Sequence, residues 1–139
     1  MERSEIAKVA VSAATFSIDR PYDYLIPQSM LEKARPGVRV SVPFGRGNRS
    51  CEGVILARET GPKRAGVKPL SSVLDDEPVL DGWGVSLALW MRQRYFCTMY
   101  EAVKTILPAG LWYRQREVFT LSEGLNRADA GNLAGKIIL

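Results

Sequence analysis

A small group of aromatic, acidic and basic residues in this sequence is the one best suited to bind a ligand specifically. Its members are Tyr22-Asp23-Tyr24, Pro43-Phe44-Gly45-Arg46 and Lys68. Aromatic rings stack on unpaired nucleobases for about 1–3 kcal/mol each, and Arg or Lys pairs with backbone phosphates. A carboxylate repels a phosphodiester but accepts a hydrogen bond from a hydroxyl or amino group. These residue types predict a site for single-stranded nucleic acid in which Asp23 reads a free 3′ end or a base edge.

The positive charge of the chain is concentrated in the stretch that holds much of this group. Residues 33–68 contain nine Lys/Arg against two acids, whereas the rest of the chain carries ten basic and thirteen acidic residues. A local charge of +7, compared with +4 for the whole chain, predicts a surface that faces phosphate. Arg39, Arg46 and Arg49 are the expected phosphate contacts. Gly45 lacks a β-carbon and would let the main chain approach a sugar or base.

Ordinary structural roles remain open for the same residues. Tyr22, Tyr24 and Phe44 lie at predicted strand ends, where core or rim aromatics are common. Asp23 could be a turn carboxylate paired with Arg20 or Arg39. In that reading the arginines of the Gly-rich loop are solvated charges.

Two other clusters are interpreted as structural. The acidic run 75–77 precedes Pro78 and is more typical of a solvated turn than of a metal site. Trp83, Trp90 and Tyr95 recur at helical spacing, which indicates a core face rather than a cofactor site.

Composition argues against most catalytic chemistry. The chain has no histidine, and Cys51 and Cys97 are far apart with no CxxC, so we expect no zinc site and no His-based nucleophile. Both thiols are interpreted as semi-buried hydrophobes in a reducing compartment. The sequence contains no GxxxxGK[ST] phosphate loop and no run of about 18 to 20 apolar residues. We therefore expect a cytoplasmic, non-enzymatic chain with no catalytic residue, metal or cofactor and no membrane contact.

The elements that would position the cluster are mostly strands. Alternation and turn residues predict strands over 5–14, 22–26, 38–42, 51–58 and 67–74. The valines of the third strand are expected to face one way, with Arg39 and Ser41 facing the other. Five short strands at this spacing predict a mainly β (α+β) fold, built on a small and strongly curved sheet or barrel.

Helices follow these strands. Asp81 is a suitable N-cap for a helix with apolar residues at intervals of three and four, and a second helix is predicted over Met99 to Ile106. Both helices are expected to close one end of the barrel. Beyond Gly110, residues 116–121 are interpreted as a strand and 127–138 as a helix, which begin a second domain.

Five segments together resemble a known family. They are Ile18–Pro27, Pro36–Arg46, Glu52–Leu56, Lys68–Val79 and Tyr100–Gly110. In this order they are similar to the N-terminal domain of the primosomal protein N′ (PriA) family of bacterial replication-restart helicases. The resemblance covers residues 5–112, and the agreement of all five in register is specific.

This resemblance implies a fold and a binding site. Residues 1–112 would be an OB-like β-barrel with C-terminal helices that binds a 3′ DNA end, and residues 113–139 the truncated start of a winged-helix domain. Carried over position by position, the 3′-end pocket falls on Tyr22, Asp23, Tyr24, Gly45 and Lys68. Tyr22 stands where many family members carry Phe, and either residue supplies a stacking ring.

The resemblance also implies ligands and a parent protein. The ligand would be single-stranded or forked DNA with a 3′-OH, namely the 3′ end of the nascent leading strand at a stalled fork. Single-stranded-DNA-binding protein and other primosome proteins are expected partners. The parent would be an ATP-dependent 3′-to-5′ DNA helicase, so ATP and zinc are expected only in regions outside this chain. Two alternatives remain open: an RNA- or ribosome-associated basic β-barrel, and a protein-interaction module.

Overall fold

A computed structural model describes residues 2–111 as a β-sheet domain followed by two α-helices. The strands are β1 (Arg3–Val11), β2 (Tyr22–Leu25), β3 (Arg39–Phe44), β4 (Arg49–Pro62) and β5 (Ser72–Val73). The helices are α1 (Gly82–Arg94) and α2 (Met99–Ile106), with short 3₁₀ turns at Phe16–Ile18, Gln28–Met30 and Ala109–Leu111. The mainly β, α+β prediction is confirmed. The predicted start of a winged-helix domain at 113–139 lies outside the described residues.

All five strands form one antiparallel sheet in the order β2-β1-β4-β3-β5. The β2 edge is also tied to the segment that leads into β5. The main-chain N–H of Leu25 donates to the carbonyl of Lys68, and the N–H of Leu70 donates to the carbonyl of Leu25, each at 2.9 Å. Both edges of the sheet therefore meet at one seam, which gives the sheet the curled, barrel-like form that the sequence predicts.

The inside of this curled sheet is filled by alternating apolar side chains. Val9 and Val11 of β1, Val40 and Val42 of β3 and Ile55 of β4 belong to one buried cluster. Because successive residues of a strand point to opposite faces, the residues between them form a second, outer face. The three valines 38, 40 and 42 are fully buried, as their spacing predicts.

The outer face of β1 and β4 packs against the helices in a second buried cluster. Ala10, Val54 and Leu56 contact residues that include Ala102 and Val103 of α2. The expectation that the helices close one end of the barrel is therefore wrong. Small and apolar residues on the outer face of β1 and β4 let α2 pack against the outside of the sheet instead.

Helix α1 begins as predicted, with the Asp81 carboxylate accepting from the N–H of Gly84 at 2.8 Å. The predicted core face is wrong, because Trp83 is 86% exposed and Trp90 and Tyr95 are also exposed. Helix α1 buries its small residues Gly84 and Ala88 instead. A β-carbon at residue 84 would lie 2.4 Å from a methyl group of Leu80. This side of the helix is therefore too close to Leu80 to carry an aromatic side chain.

Two strand lengths differ from their predictions. Strand β4 is longer than residues 51–58, because its pairing with β1 continues to the Arg3–Pro62 pair. Strand β5 is shorter than 67–74, since Pro69 has no N–H to donate and forms only an isolated bridge to Leu25.

Residues 2–111 contain no cluster of three or more metal-ligating acidic or cysteine side chains. Cys51 and Cys97 are free thiols of intermediate exposure. In the same part of the chain, neither helix has the length and apolar content that would be needed to cross a membrane.

Candidate nucleic-acid interface

The five residues predicted for 3′-end binding all line one open pocket of about 320 Å³. They come from β2, from the β3–β4 turn and from the segment before β5. The lining consists of Tyr22, Asp23, Tyr24, Phe44, Gly45, Gly66, Val67 and Lys68. Gly66 and Val67 are not singled out by the sequence, although they adjoin Lys68. The structure thus brings together three segments that are distant in the chain.

The pocket lies where the two edges of the sheet meet. Pairing of the Lys68 carbonyl with the Leu25 N–H holds the 66–68 segment beside β2. The Lys68 ammonium in turn donates to the carbonyl of Gly45 at 2.8 Å. Gly45 has a φ of +75°, a conformation that favours glycine, and no heavy atom lies within 4 Å of the place where a β-carbon would stand. The side of Gly45 on which a side chain would stand is therefore open.

The two tyrosines of β2 have different roles. Tyr22 is half-buried, meets the Phe44 ring edge-on at 5.1 Å and donates its hydroxyl to the carbonyl of Ile18 at 2.6 Å. Tyr24 is only 4% exposed, and its hydroxyl donates to the carbonyl of Pro43 at 2.8 Å. Burial raises the pKa of Tyr24 to about 12, which keeps this donor protonated at neutral pH. Both tyrosines line the pocket, but Tyr22 offers more of its ring to a ligand than the buried Tyr24.

Asp23 forms two ion pairs, one with its cross-strand neighbour on β1 and one with a residue that follows β4. Its carboxylate contacts the Lys8 ammonium at 2.6 Å through Oδ1 and the Arg64 guanidinium at 3.3 Å through Oδ2. The hydrogen bond to Asp23 raises the pKa of Lys8. The partners expected in the structural reading, Arg20 and Arg39, are therefore wrong. The side chain of Asp23 stays 22% exposed, and a carboxylate offers about four acceptor sites, so it can still accept from a ligand.

Sequence reasoning missed Lys8 because the β1–β2 register places it directly opposite Asp23. Register is decided by long-range packing and cannot be read from either strand alone. Arg64 was counted in the basic stretch but was not assigned to Asp23. In the sequence, only its closeness to Lys68 indicates that Arg64 could lie near the pocket.

Arg39 is buried and paired with a carboxylate, so the prediction that it contacts phosphate is wrong. Its side chain is 7% exposed, and its guanidinium meets Asp75 through Nη2 at 2.6 Å and through Nε at 3.0 Å. The same guanidinium also donates to the carbonyl of Leu111. A buried, bidentate pair of this kind is a structural contact, and here it joins β3 to the segment that follows β5. Asp75 is correspondingly no part of a solvated turn, unlike the exposed pair Asp76 and Glu77.

Arg46 and Arg49 remain on the surface, at the turn that joins β3 to β4. The turn is tight: the N–H of Asn48 donates to the carbonyl of Gly45 at 3.2 Å, and Asn48 has a φ of 47°. Both arginines are exposed, and neither forms a salt bridge within residues 2–111. Both follow Gly45 in the chain, outside the pocket lining, and their charge is available to a ligand that extends beyond the pocket.

Comparison with known proteins identifies the family of this chain. The family model described as the PriA 3′ DNA-binding domain (3′BD) matches residues 8–108. The chain is 32% identical over 120 residues to the replication restart protein PriA of Bacillus subtilis. The aligned region covers 85% of this chain and 15% of that protein. It is 33% identical over 104 residues to the probable replication restart protein PriA of Mycobacterium tuberculosis, covering 74% of this chain and 16% of that protein.

A third similar protein is the replication restart protein PriA of Treponema pallidum, 26% identical over 125 residues, which covers 86% of this chain and 19% of that protein. The chain thus spans less than a fifth of the length of these relatives. The matched region contains every residue that lines the pocket. The chain belongs to the family of 3′ DNA-binding domains of the replication restart protein PriA.

Proposed function

We propose that the pocket captures the free 3′ end of a single DNA strand. The observation that carries this proposal is the meeting, in one open pocket, of an accessible ring, a carboxylate, an ammonium group and an uncovered glycine backbone. Each group suits one part of a strand terminus. Membership in the 3′ DNA-binding family supports the same ligand.

In this proposal the ring of Tyr22 packs against the last base. Lys68 engages the phosphate that precedes it, and Arg46 and Arg49 meet the next phosphates along the strand. The carboxylate of Asp23 and the main chain of Gly45 contact the terminal hydroxyl or the edge of the last base. A 3′-hydroxyl can donate to a carboxylate, whereas a 3′-phosphate would place like charges together.

The ion pairs of Asp23 make this role compatible with a phosphate-rich ligand. Lys8 and Arg64 contact the carboxylate, and Glu59 lies 3.7 Å from Lys8, so the four side chains are electrically balanced. The carboxylate can therefore accept a hydrogen bond without projecting a strong negative field over the pocket. Its selectivity would act at short range, at the terminus alone.

The biological setting is also part of the proposal. We infer that the strand is the nascent leading strand at a stalled replication fork and that the parent protein is an ATP-dependent 3′-to-5′ DNA helicase, with ATP and zinc bound in regions outside this chain. Single-stranded-DNA-binding protein and other primosome proteins would be partners of the parent. Because the bacterial chromosome lies in the cytoplasm, the domain would act there. Membership in the 3′ DNA-binding family of replication restart proteins supports the replication setting, and the other inferences rest on the resemblance of the sequence to the primosomal helicases.

The test compares the affinity of this chain for one short DNA strand that ends in a 3′-hydroxyl or a 3′-phosphate. We expect tighter binding of the hydroxyl end, and the ratio should persist at two salt concentrations because end reading does not depend on counterion release. Moving the phosphate to the 5′ end is the control and should not weaken binding. Equal binding of both 3′ ends would refute end capture, and tighter binding of a matched RNA strand would favour an RNA ligand.

A further inference from the structure

Two phenylalanines form an exposed stack at the junction of the helices and the β1–β2 connection. The ring centroids of Phe16 and Phe96 are 4.1 Å apart, with an angle of 18° between the planes. Phe96 is 89% exposed even though one of its faces covers Phe16. Exposed phenylalanine is costly in water, and this ring keeps a surface available to another planar group.

This aromatic pair is joined to the wall of the pocket by a single turn. The hydroxyl of Tyr22 donates to the carbonyl of Ile18 at 2.6 Å, and Ile18 ends the 3₁₀ turn that begins at Phe16. A 3₁₀ turn rises about 2 Å per residue, so Phe16 starts about 4 Å along the turn from Ile18. Stacked nucleotides of one strand advance by about 3.4 Å each. The length of the Tyr22 side chain adds to this span, so one strand whose last base is held at Tyr22 can also reach the aromatic pair.

Arginines pack on the rings along this route, although only Arg20 is exposed and Arg92 is paired with Asp19. The guanidinium of Arg20 lies 5.1 Å from the centre of the Tyr22 ring, and that of Arg92 lies 4.5 Å from the centre of the Phe16 ring. Arg92 is held in place by Asp19, which also accepts from the N–H of Met99 at 3.0 Å. Alternation of rings and positive charges is the arrangement that binds single strands without regard to sequence.

We propose that Phe16 and Phe96 form a second stacking site, which takes a nucleobase upstream of the 3′ end. This inference rests on the proposed function, because the captured terminus sets the path of the strand. Its ligand is the same single strand, contacted a few nucleotides from its end. Arg20, which is exposed between the two sites, meets the intervening phosphate.

The experiment compares trinucleotides with octanucleotides that share the same 3′-hydroxyl end. Phe96→Ala should bind the trinucleotide as the unaltered chain does and the octanucleotide about ten-fold more weakly, the loss expected for one stacked base. The preference for a 3′-hydroxyl over a 3′-phosphate should not change. Trp83→Ala is the matched control, since Trp83 is a similarly exposed ring, at 86%, and lies on α1 rather than in the stacked pair.

The outcomes separate this inference from the proposed function. If Phe96→Ala binds the octanucleotide as tightly as the unaltered chain, the second site is refuted while end capture stands. If the unaltered chain shows no preference for the 3′-hydroxyl, end capture fails and the inference fails with it. A loss of octanucleotide binding in Trp83→Ala of the same size would also overturn it, because the effect would then not be specific to the pair. Phe96→Tyr, which keeps a ring, should restore octanucleotide binding.

Discussion

The ammonium group of Lys68 donates a hydrogen bond of 2.8 Å to the carbonyl oxygen of Gly45. This contact joins the segment before β5 to the β3–β4 turn across the mouth of the pocket. One of the three ammonium donors is used, so two remain for a phosphate. Lys68 is therefore held in position before a ligand arrives, which lowers the ordering cost of binding.

Replacing Lys68 by alanine should weaken binding to every single strand. The loss of one phosphate contact is expected to make the dependence of log affinity on log salt shallower by about 0.7 for a single strand. The preference for a 3′-hydroxyl should persist, because Lys68 does not read the terminus. Binding titrations at several salt concentrations would measure both quantities. Lys33→Ala is the control, since Lys33 pairs with Asp76 and does not line the pocket. An unchanged salt dependence in Lys68→Ala would show that Lys68 does not contact a phosphate.

Replacing Asp23 by alanine should abolish end selectivity and spare most of the salt-dependent affinity. The variant leaves Lys8 and Arg64 without their carboxylate partner, so the local charge becomes more positive. We therefore expect strands with a 3′-phosphate to bind at least as tightly as they do to the unaltered chain, and the ratio between the two ends to fall towards one. The measurement is the affinity for both ends at one salt concentration.

Asp23→Asn separates charge from hydrogen bonding in the same position. The amide keeps one acceptor oxygen but removes the negative charge that opposes a 3′-phosphate. Selectivity should fall in this variant while binding of the hydroxyl end is retained. If either variant kept the full preference of the unaltered chain, Asp23 would not be the reader of the terminus. Thermal unfolding of each variant would confirm that β1 and β2 remain paired.

The sequence predicted the members of the pocket better than their surroundings. Tyr22, Asp23, Gly45 and Lys68 could be chosen from residue type and from family resemblance, and all of them line one cavity. The burial of Arg39 could not be predicted from the sequence, because its partner Asp75 is distant in the chain. The pairing of β5 with β3 brings the two residues together. A period-two pattern identifies two faces of a strand but does not reveal that a second layer covers the outer one.

The helices show the same limit. The spacing of Trp83 and Trp90 predicts an apolar stripe on α1, and the sequence alone favours burial of large rings. The structure buries Gly84 and Ala88 because close approach to Leu80 stabilises that side of the helix. Helix α2 has the predicted bounds, and a capping box of Thr98 and Glu101, formed by residues close in the sequence, stabilises its start.

Two glycines with similar backbone angles should differ in what an added methyl group costs. Gly37 has a φ of +88°, and a β-carbon there would lie 1.8 Å from the carbonyl oxygen of Leu80. Gly66 has a φ of +83° and nothing within 4 Å. Gly66→Ala should lower the free energy of unfolding by about 1–2 kcal/mol through backbone strain alone. Gly37→Ala adds a main-chain clash and should lower it by roughly 3 kcal/mol or more.

Chemical denaturation of both variants would test this difference. The strain at positive φ is common to the two sites, so Gly66→Ala serves as the control for it. Equal losses would mean that the contact of Gly37 with Leu80 is easily relieved and does not hold the end of the sheet against α1. Because Gly66 lines the pocket, its variant should also be checked for DNA binding, where the added methyl group would meet the ligand.

Glu52 should make the stability of the domain depend on pH. Its Oε1 atom is buried without a hydrogen-bond partner in the described residues and lies 3.9 Å from the Arg39 guanidinium. Burial raises the pKa of Glu52 above its usual value of 4.5, and the attraction of Arg39 offsets this only in part. A carboxyl whose pKa is higher in the folded state favours folding when it is protonated. That contribution is complete below the unfolded pKa of about 4.5 and is lost as the pH rises through the raised folded value.

Glu52→Gln removes this loss, because an amide does not titrate and can still accept the hydrogen bond that Tyr100 donates to residue 52. The free energy of unfolding of the variant, relative to the unaltered chain, should therefore be higher at about pH 7 than at about pH 4. Urea denaturation at the two pH values gives the difference. Glu32→Gln, which changes an exposed carboxyl, controls for the loss of one charge and should show a smaller change. A difference for Glu52→Gln that is constant or falls with pH would mean that attraction to Arg39 outweighs the cost of burying this carboxylate.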